Sequence, residues 1–303
     1  MLGRVIVTGG SGFIGGRIAK HLKESGAYVV IIDQNPPKLT VDEFIRGNVE
    51  DESTWRQVPE LGFDAILHLA ARTSVLKSIT DPVDAFYSNV AGTFQVLEYA
   101  RRRDVPSVVS ASSNAVVGNH TESAITETLG LNPLTPYGAT KAAAEMLASG
   151  YHHSYDIATA NIRLTNVYGP SMWNKDSIIP RLLRYAVGEG DFRIYGEGSQ
   201  YRDYVYIDDV VAAFIKLAET QETGTVSFGS GESFSVIEIV DKVSQVVGEK
   251  LEPPHISPQK GEMAGVKISL DKADLLGLKA SVSIAEGLER TWQDFLQSRK
   301  TRQ

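Results

Sequence analysis

The 303-residue chain contains no cysteine, which excludes thiol nucleophiles, thiolate metal sites and disulfides and fits a reducing, cytoplasmic setting. Positive charge is also scarce, with 30 lysines and arginines against 37 aspartates and glutamates and a net charge of −7. That balance argues against a nucleic-acid or anionic-membrane surface, although one pocket can differ in sign from the whole. No apolar run approaches the roughly 20 residues that cross a bilayer. Arg4-Val5-Ile6-Val7 reads as a first strand rather than a signal peptide. There are six histidines, and the pair His152-His153 falls on a helix surface without a ligand set, so no metal site is expected. Internal repeats and low-complexity tracts are missing.

What is present is an alternation of strands and helices. The strand Arg4 to Thr8 runs into Gly9-Gly10-Ser11-Gly12-Phe13-Ile14-Gly15, and a helix follows with Ile14, Ile18 and Leu22 on one face. Strand, glycine-rich turn and helix in that order suit a dinucleotide, because bare backbone lets a pyrophosphate approach the helix N-terminus. A second strand, Tyr28 to Ile32, ends at Asp33. A carboxylate there can hold ribose hydroxyls and would repel a 2′-phosphate, which favours NAD over NADP; it can also simply open the turn through Asn35-Pro36-Pro37. Further strands are expected at Phe44 to Val49, with Asn48 placed to touch adenine, at Ala65 to Ala71, and at Val105 to Ala111. The helical stretch Pro82 to Arg103 contains Asn89. Such alternation predicts an α/β fold with a doubly wound parallel sheet, its ligands at the carboxyl ends of the strands.

Thr135-Pro136-Tyr137-Gly138-Ala139-Thr140-Lys141 reads as a helix start, with Thr135 as cap and Pro136 at the first helical position. Tyr137 and Lys141 share one face. A nearby ammonium and the positive helix end both favour a phenolate, which would make Tyr137 a usable proton acceptor. The spacing also occurs on ordinary solvated helices, and the serine pair Ser112-Ser113 after a strand is equally compatible with a polar turn.

Taken in order, these pieces resemble an extended short-chain dehydrogenase/reductase of the NAD-dependent sugar epimerase/dehydratase family, from about residue 4 to 290. Beyond the glycine turn, the likeness rests on His68-Leu69-Ala70-Ala71, Asn89-Val90-Ala91-Gly92-Thr93 and Tyr137-Gly138-Ala139-Thr140-Lys141. The second half adds Arg163-Leu164-Thr165-Asn166-Val167-Tyr168-Gly169-Pro170 and Tyr201-Arg202-Asp203-Tyr204-Val205. The resemblance implies a Rossmann-type domain over 1–165, to which 204–228 returns, and a smaller substrate-binding α/β domain over 166–303. It implies Tyr137, Lys141 and Ser113 as the catalytic set. Cofactor residues are then Gly9, Gly12, Phe13, Ile14, Gly15, Asp33, Asn48, Val49, Leu69, Ala70, Ala71, Asn89 and Ala111, joined by Tyr137 and Lys141. Ser112, Ser113, Asn114, Tyr137, Asn166, Arg202 and Val266 fall to a UDP-sugar, Arg202 as a planar fork on its diphosphate.

Four positions depart from the family pattern: Val117 before Gly118, Gln259 (with Lys260 beside it) at a phosphate-contacting arginine, Ser227 at an asparagine, and Ser171 at an arginine. Dehydratases carry an Asp-Glu pair after the catalytic Ser/Thr, where this chain has Asn114-Ala115, so dehydration is not expected. The glutamate and arginine of decarboxylating members are missing too. C4 epimerisation with NAD remains, on UDP-glucose/UDP-galactose first, with UDP-glucuronate or UDP-N-acetylhexosamine next because Val266 leaves space for a substituent. An NAD(P)H-dependent 4-ketoreductase and a non-catalytic NAD-binding regulator are the alternatives. The stretches Pro82 to Arg103 and Pro136 to Tyr155 are amphipathic enough to pair with copies of themselves, so a homodimer is expected.

Overall fold

Alternation along the first strand sets the architecture. In β1 (Arg4–Thr8), Val5 and Val7 belong to one apolar core and Ile6 to another, all fully buried. The split recurs in β2 (Tyr28–Asp33), with Val29 and Ile31 on the first side and Val30 and Ile32 on the second. A strand apolar on both faces belongs inside a three-layer sandwich. The computed structural model describes residues 1–119, 124–258, 265 and 267–300.

The main sheet adds β3 (Glu43–Arg46), β4 (Ala65–His68), β5 (Ser107–Ser113), β6 (Ala158–Leu164) and β10 (Gly224–Phe228). Its seven strands are parallel and run in the order β10-β6-β5-β4-β1-β2-β3. One face is covered by α1 (Phe13–Glu24) and α8 (Ile207–Glu219), tied together by a two-pronged Arg17–Asp208 pair at 2.6 and 2.9 Å. The other carries α5 (Gly92–Arg102) and α6 (Pro136–Tyr155), with Trp55 of α2 (Glu52–Trp55) packed 5.0 Å from Tyr99. The short helices α3 (Val75–Thr80) and α4 (Pro82–Phe86) lead through one π-helical turn, Tyr87–Ala91, into α5.

The smaller lobe has its own core, built from α7 (Ile178–Ala186), α9 (Val236–Val247) and α11 (Ile284–Lys300), including Leu182, Ile239, Leu288 and Phe295. These helices flank a three-stranded sheet of β7 (Asn166–Tyr168), β9 (Tyr201–Tyr206) and β11 (Ser233–Ser235), and a two-stranded pair of β8 (Ile194–Tyr195) with β12 (His255–Ile256). Helix α10 (Asp271–Leu275) returns to the large lobe, where Ala273 joins its core. No helix among the described residues is long and apolar enough to cross a membrane.

Strand ends differ from the sequence expectation for local reasons. The strand expected over 44–49 runs from Glu43 to Arg46. Gly47 N still donates to Asp33 O at 3.1 Å, and a Cβ on Gly47 would sit 2.3 Å from the Thr54 hydroxyl, so the chain passes Thr54 there as bare backbone. The one expected over 65–71 stops at His68, because the amides of Leu69 and Ala70 turn toward the Thr8 hydroxyl at 3.2 and 3.3 Å. The fifth runs two residues later than expected, through Ser113. Of the segment 204–228, α8 and β10 lie in the large lobe, whereas β9 pairs with β7 and β11 in the smaller sheet.

Candidate active site

The order of strands reverses between β1 and β4, and ligands of open α/β sheets sit in the crevice such a reversal opens. A cleft of about 370 Å³ lies there. Its floor is the glycine turn: Gly9, Gly12, Phe13, Ile14 and Gly15 all line it. Gly9 has φ +67°, and a Cβ on it would meet the Ala70 amide nitrogen at 2.7 Å. A Cβ on Gly15 would meet the Gly9 carbonyl oxygen at 2.2 Å, so the turn folds onto itself only as bare backbone. Helix α1 then starts without a side-chain cap and without an acidic residue in its first turn, which leaves its first amides to an anion. These residues fit a dinucleotide.

At the adenosine end the cleft is lined by Asp33, Asn48 and Val49, and further along by Leu69, Ala70, Ala71 and Ala111. Asp33 does shape its turn, accepting from Ser11 N at 3.0 Å and Asn35 N at 2.9 Å, while still facing the cleft. Asn48 donates to Asp51 and accepts from Gln34 at 2.9 Å. Asn89 lies behind the walls, 1% exposed. Its amide accepts from Arg72 N at 2.7 Å and donates to Arg72 O and to the Thr140 hydroxyl at 2.9 Å, bracing the Ala71-Arg72 turn against α6. The π-helical turn, often found at functional sites, supplies this residue, and its carbonyl takes the Thr93 hydroxyl at 2.6 Å.

Ser112, Ser113, Tyr137 and Lys141 close the other end. Thr135 caps α6 by accepting from Gly138 N at 3.2 Å. Gly138 lets the helix start press on the turn after β5, since a Cβ there would sit 2.5 Å from Ala115 O. That contact brings Tyr137 beside Ser113. Burial pushes the Tyr137 phenol up from its ordinary value, and the hydrogen bond with Ser113 opposes it. The expectation of a lowered phenol is therefore not met in the free chain, because burial raises it by more than the Ser113 hydrogen bond lowers it. Lys141, 6% exposed, donates to Ala111 O at 2.8 Å. Burial brings its ammonium down to about 8, against a pull upward from Glu145.

Other expected substrate residues lie outside the cleft walls. Asn114 sits on the turn after Ser113 with its carbonyl oxygen buried and without a hydrogen-bond partner among the described residues. Exposed Asn166 donates to Asp203 O at 3.0 Å, and half-buried Arg202 donates to Tyr201 O at 2.8 Å. Asp203 is buried and accepts from the Thr165 hydroxyl, Ser230 N and Gly231 N. Val266 and the pair Gln259-Lys260 lie outside the described residues.

Lys175 carries no sequence signal, yet its ammonium reaches a position 5.7 Å from the Phe13 ring centre at the edge of the cleft, where desolvation lowers its pKa. It sits in a loop with no periodicity to expose it. Glu145 and Arg163 were also missed, although Glu145 follows Lys141 by one helical turn on the same face.

The chain is similar to known proteins along nearly its whole length. The family model described as the NAD dependent epimerase/dehydratase family matches residues 5–230. A putative UDP-glucose 4-epimerase of Methanocaldococcus jannaschii is 31% identical, over 94% of this chain and 96% of that protein. A UDP-glucuronate 4-epimerase of Thermodesulfobacterium geofontis is 29% identical over 96% and 95%. The crystal structure of a UDP-glucose 4-epimerase from Thermotoga maritima with UDP-glucose superposes with a TM-score of 0.91 at 29% identity, covering 99% of this chain and all of that one. The chain thus belongs to the NAD-dependent epimerase/dehydratase family, and NAD is its cofactor.

Proposed function

We propose that the protein is an NAD-dependent 4-epimerase of a UDP-sugar, with UDP-glucose/UDP-galactose as its pair. The observation that carries this reading is the meeting of Ser113, Tyr137 and Lys141 at one end of the dinucleotide cleft, next to Asn114-Ala115, which offer no ionisable group. A base and a hydrogen-bond donor are present; the extra acid and base that dehydration requires are not. The matched relatives are named as a putative UDP-glucose 4-epimerase and a UDP-glucuronate 4-epimerase, which supports the UDP-sugar class and leaves uronate and N-acetylhexosamine as the competing substituents.

NAD, when bound, would supply a reversible hydride acceptor for C4 of the sugar. The glycine turn and the amides of α1 would hold its pyrophosphate, and Asp33 would hold its adenosine ribose. Tyr137 accepts the proton of the 4-hydroxyl as the C4–O bond becomes a carbonyl and returns it once the sugar has presented its other face. Ser113 donates a hydrogen bond to the developing oxygen, where a preplaced donor lowers the barrier. Lys141, at the same end of the cleft, would hold the cofactor there and bring a positive charge to the site of the phenolate. Burial of Tyr137 keeps the resting phenol protonated, so the charge that makes it a base must come from its neighbours in the loaded site.

The test is isotopic. UDP-glucose deuterated at C4 should give UDP-galactose that keeps deuterium at C4, with none exchanged into added NADH. Appearance of the label in external cofactor would replace the epimerase by a ketoreductase.

A further inference from the structure

Beneath the site lies a carboxylate that the proposed chemistry does not use. Glu145, 2% exposed, sits on α6 one turn beyond Lys141. It accepts from Ser112 Oγ at 2.5 Å, from Arg163 Nε at 3.0 Å and from Arg163 Nη2 at 2.7 Å. Ser112 and Arg163 are themselves register partners on β5 and β6. One carboxylate therefore joins two strand ends to the helix that carries Tyr137 and Lys141. Arg163 Nη1 stays buried without a hydrogen-bond partner among the described residues, so the pair is not optimised for stability. Apolar side chains of the same volume would hold α6 to the sheet as well as a buried ion pair does.

We infer that Glu145 is a positioning residue: it fixes the Ser112-Ser113 strand end against α6 and supplies the negative charge that keeps Lys141 cationic. The inference rests on the proposed role of Lys141 in the cofactor site. Groups on the other elements around α6 do not provide that charge. His68 of β4 is neutral, pushed down to about 3 by burial and by Lys141 itself. Arg163 of β6 is spent on Glu145; β5 gives Lys141 the uncharged Ala111 carbonyl, and its Ser112 hydroxyl donates to Glu145. Lys77 of α3 and Asp84 of α4 are exposed, the latter paired with Arg72. Glu98 of α5 pairs with Arg101 and Arg102 and accepts from Tyr151, near the far end of α6. The π-helical turn and the turn after β5 bring only uncharged Ser88, Asn89 and Asn114. Tyr137, on the same helix, is a neutral phenol.

The sign follows from the chemistry of an amine. Lys141 loses its charge as pH rises through about 8, and without the Glu145 charge the loss begins at lower pH. The experiment is calorimetric titration of NAD into the cofactor-stripped full chain, from neutral to alkaline pH. It compares the wild type with Lys141→Met, Glu145→Gln and the double variant Glu145→Gln/Arg163→Met. The double variant leaves no unpaired buried charge, so it keeps the test open if Glu145→Gln alone fails to fold. Wild-type affinity should fall on the alkaline side and Lys141→Met should bind weakly without that fall. In the Glu145 variants the fall should move to lower pH by roughly one unit. A folded double variant with the wild-type profile overturns the inference while Lys141→Met keeps its role. A wild-type profile in Lys141→Met overturns both, because the titrating group is then another.

Discussion

Ser78 caps the helix of Tyr137 from outside it: its hydroxyl accepts the Tyr137 N–H at 3.1 Å and donates to Val75 O at 2.7 Å. The second amide of a helix has no partner within it, and here Thr135 takes Gly138 N while Ser78 takes Tyr137 N. The position of the tyrosine is thus shared between its own cap and a six-residue helix, α3, whose outer face carries Leu76 and Ile79, 73% and 58% exposed.

Ser78→Ala should strand a buried amide at a cost of about 1–3 kcal/mol and loosen the phenol. Turnover should fall roughly tenfold with NAD content unchanged, read by steady-state kinetics beside the absorbance of released cofactor. Unchanged turnover would mean that α3 does not help to place Tyr137.

Tyr137→Phe removes the proton acceptor and little else, since the ring stays buried. Turnover should drop by about three orders of magnitude, within the range of general acid–base catalysis, while NAD still binds. A variant that keeps near-normal turnover would assign the proton transfer elsewhere.

His68 bridges Thr8 Oγ1 at 2.7 Å and Thr93 Oγ1 at 3.1 Å. The Thr93 hydroxyl already donates to Asn89 O, so the proton belongs on His68 Nε2 and Nδ1 accepts from Thr8. Burial, with a smaller push from Lys141, brings the folded pKa down to about 3 from the ordinary 6.5 of a histidine. The unfolded chain therefore takes up the proton first, and this group's stabilisation is full above pH 6.5 and lost as pH falls toward 3. The slope is about 1.4 kcal/mol per pH unit across that window. Urea midpoints should fall more steeply with acid in the wild type than in His68→Asn; parallel curves would show that His68 is not the sensor.

Leu76, Ile79, Val83, Phe86 and Tyr87 form an exposed apolar series on α3, α4 and the π-helical turn, with Phe94 and Met146 on α5 and α6. A second copy of the chain is expected to cover this face. Sedimentation should show a dimer that Leu76→Glu/Phe86→Glu converts to a monomer, and a monomeric wild type would remove the expectation.

The large lobe was legible because period-two burial on both faces of β1 and β2, and the glycine turn after β1, are local signals. Tyr137 and Lys141 were legible as a pair because four residues make one helical turn, and Thr135 and Pro136 announced the helix. Their proton affinities were not, since these depend on how deeply the helix is pressed into the sheet. Glu145 and Arg163 look like ordinary charges along the chain; only the register of β5 with β6 turns them into a buried pair. Asn89 binds Arg72 and the Thr140 hydroxyl from behind the cleft wall, a bracing role that no spacing along the chain encodes. Lys175 comes from a loop of the smaller lobe, and only the packing of the two lobes brings it to Phe13.

The central claim is that one retained cofactor serves a reversible C4 inversion. The most direct measurement incubates the purified protein, with no cofactor added, with UDP-glucose, UDP-glucuronate and UDP-N-acetylglucosamine separately, and resolves each from its C4 epimer. The account predicts that UDP-glucose reaches a steady mixture with UDP-galactose and no net NADH forms. Failure to convert any of the three, with or without added NAD, together with NAD(P)H oxidation by a 4-keto sugar nucleotide, would contradict it.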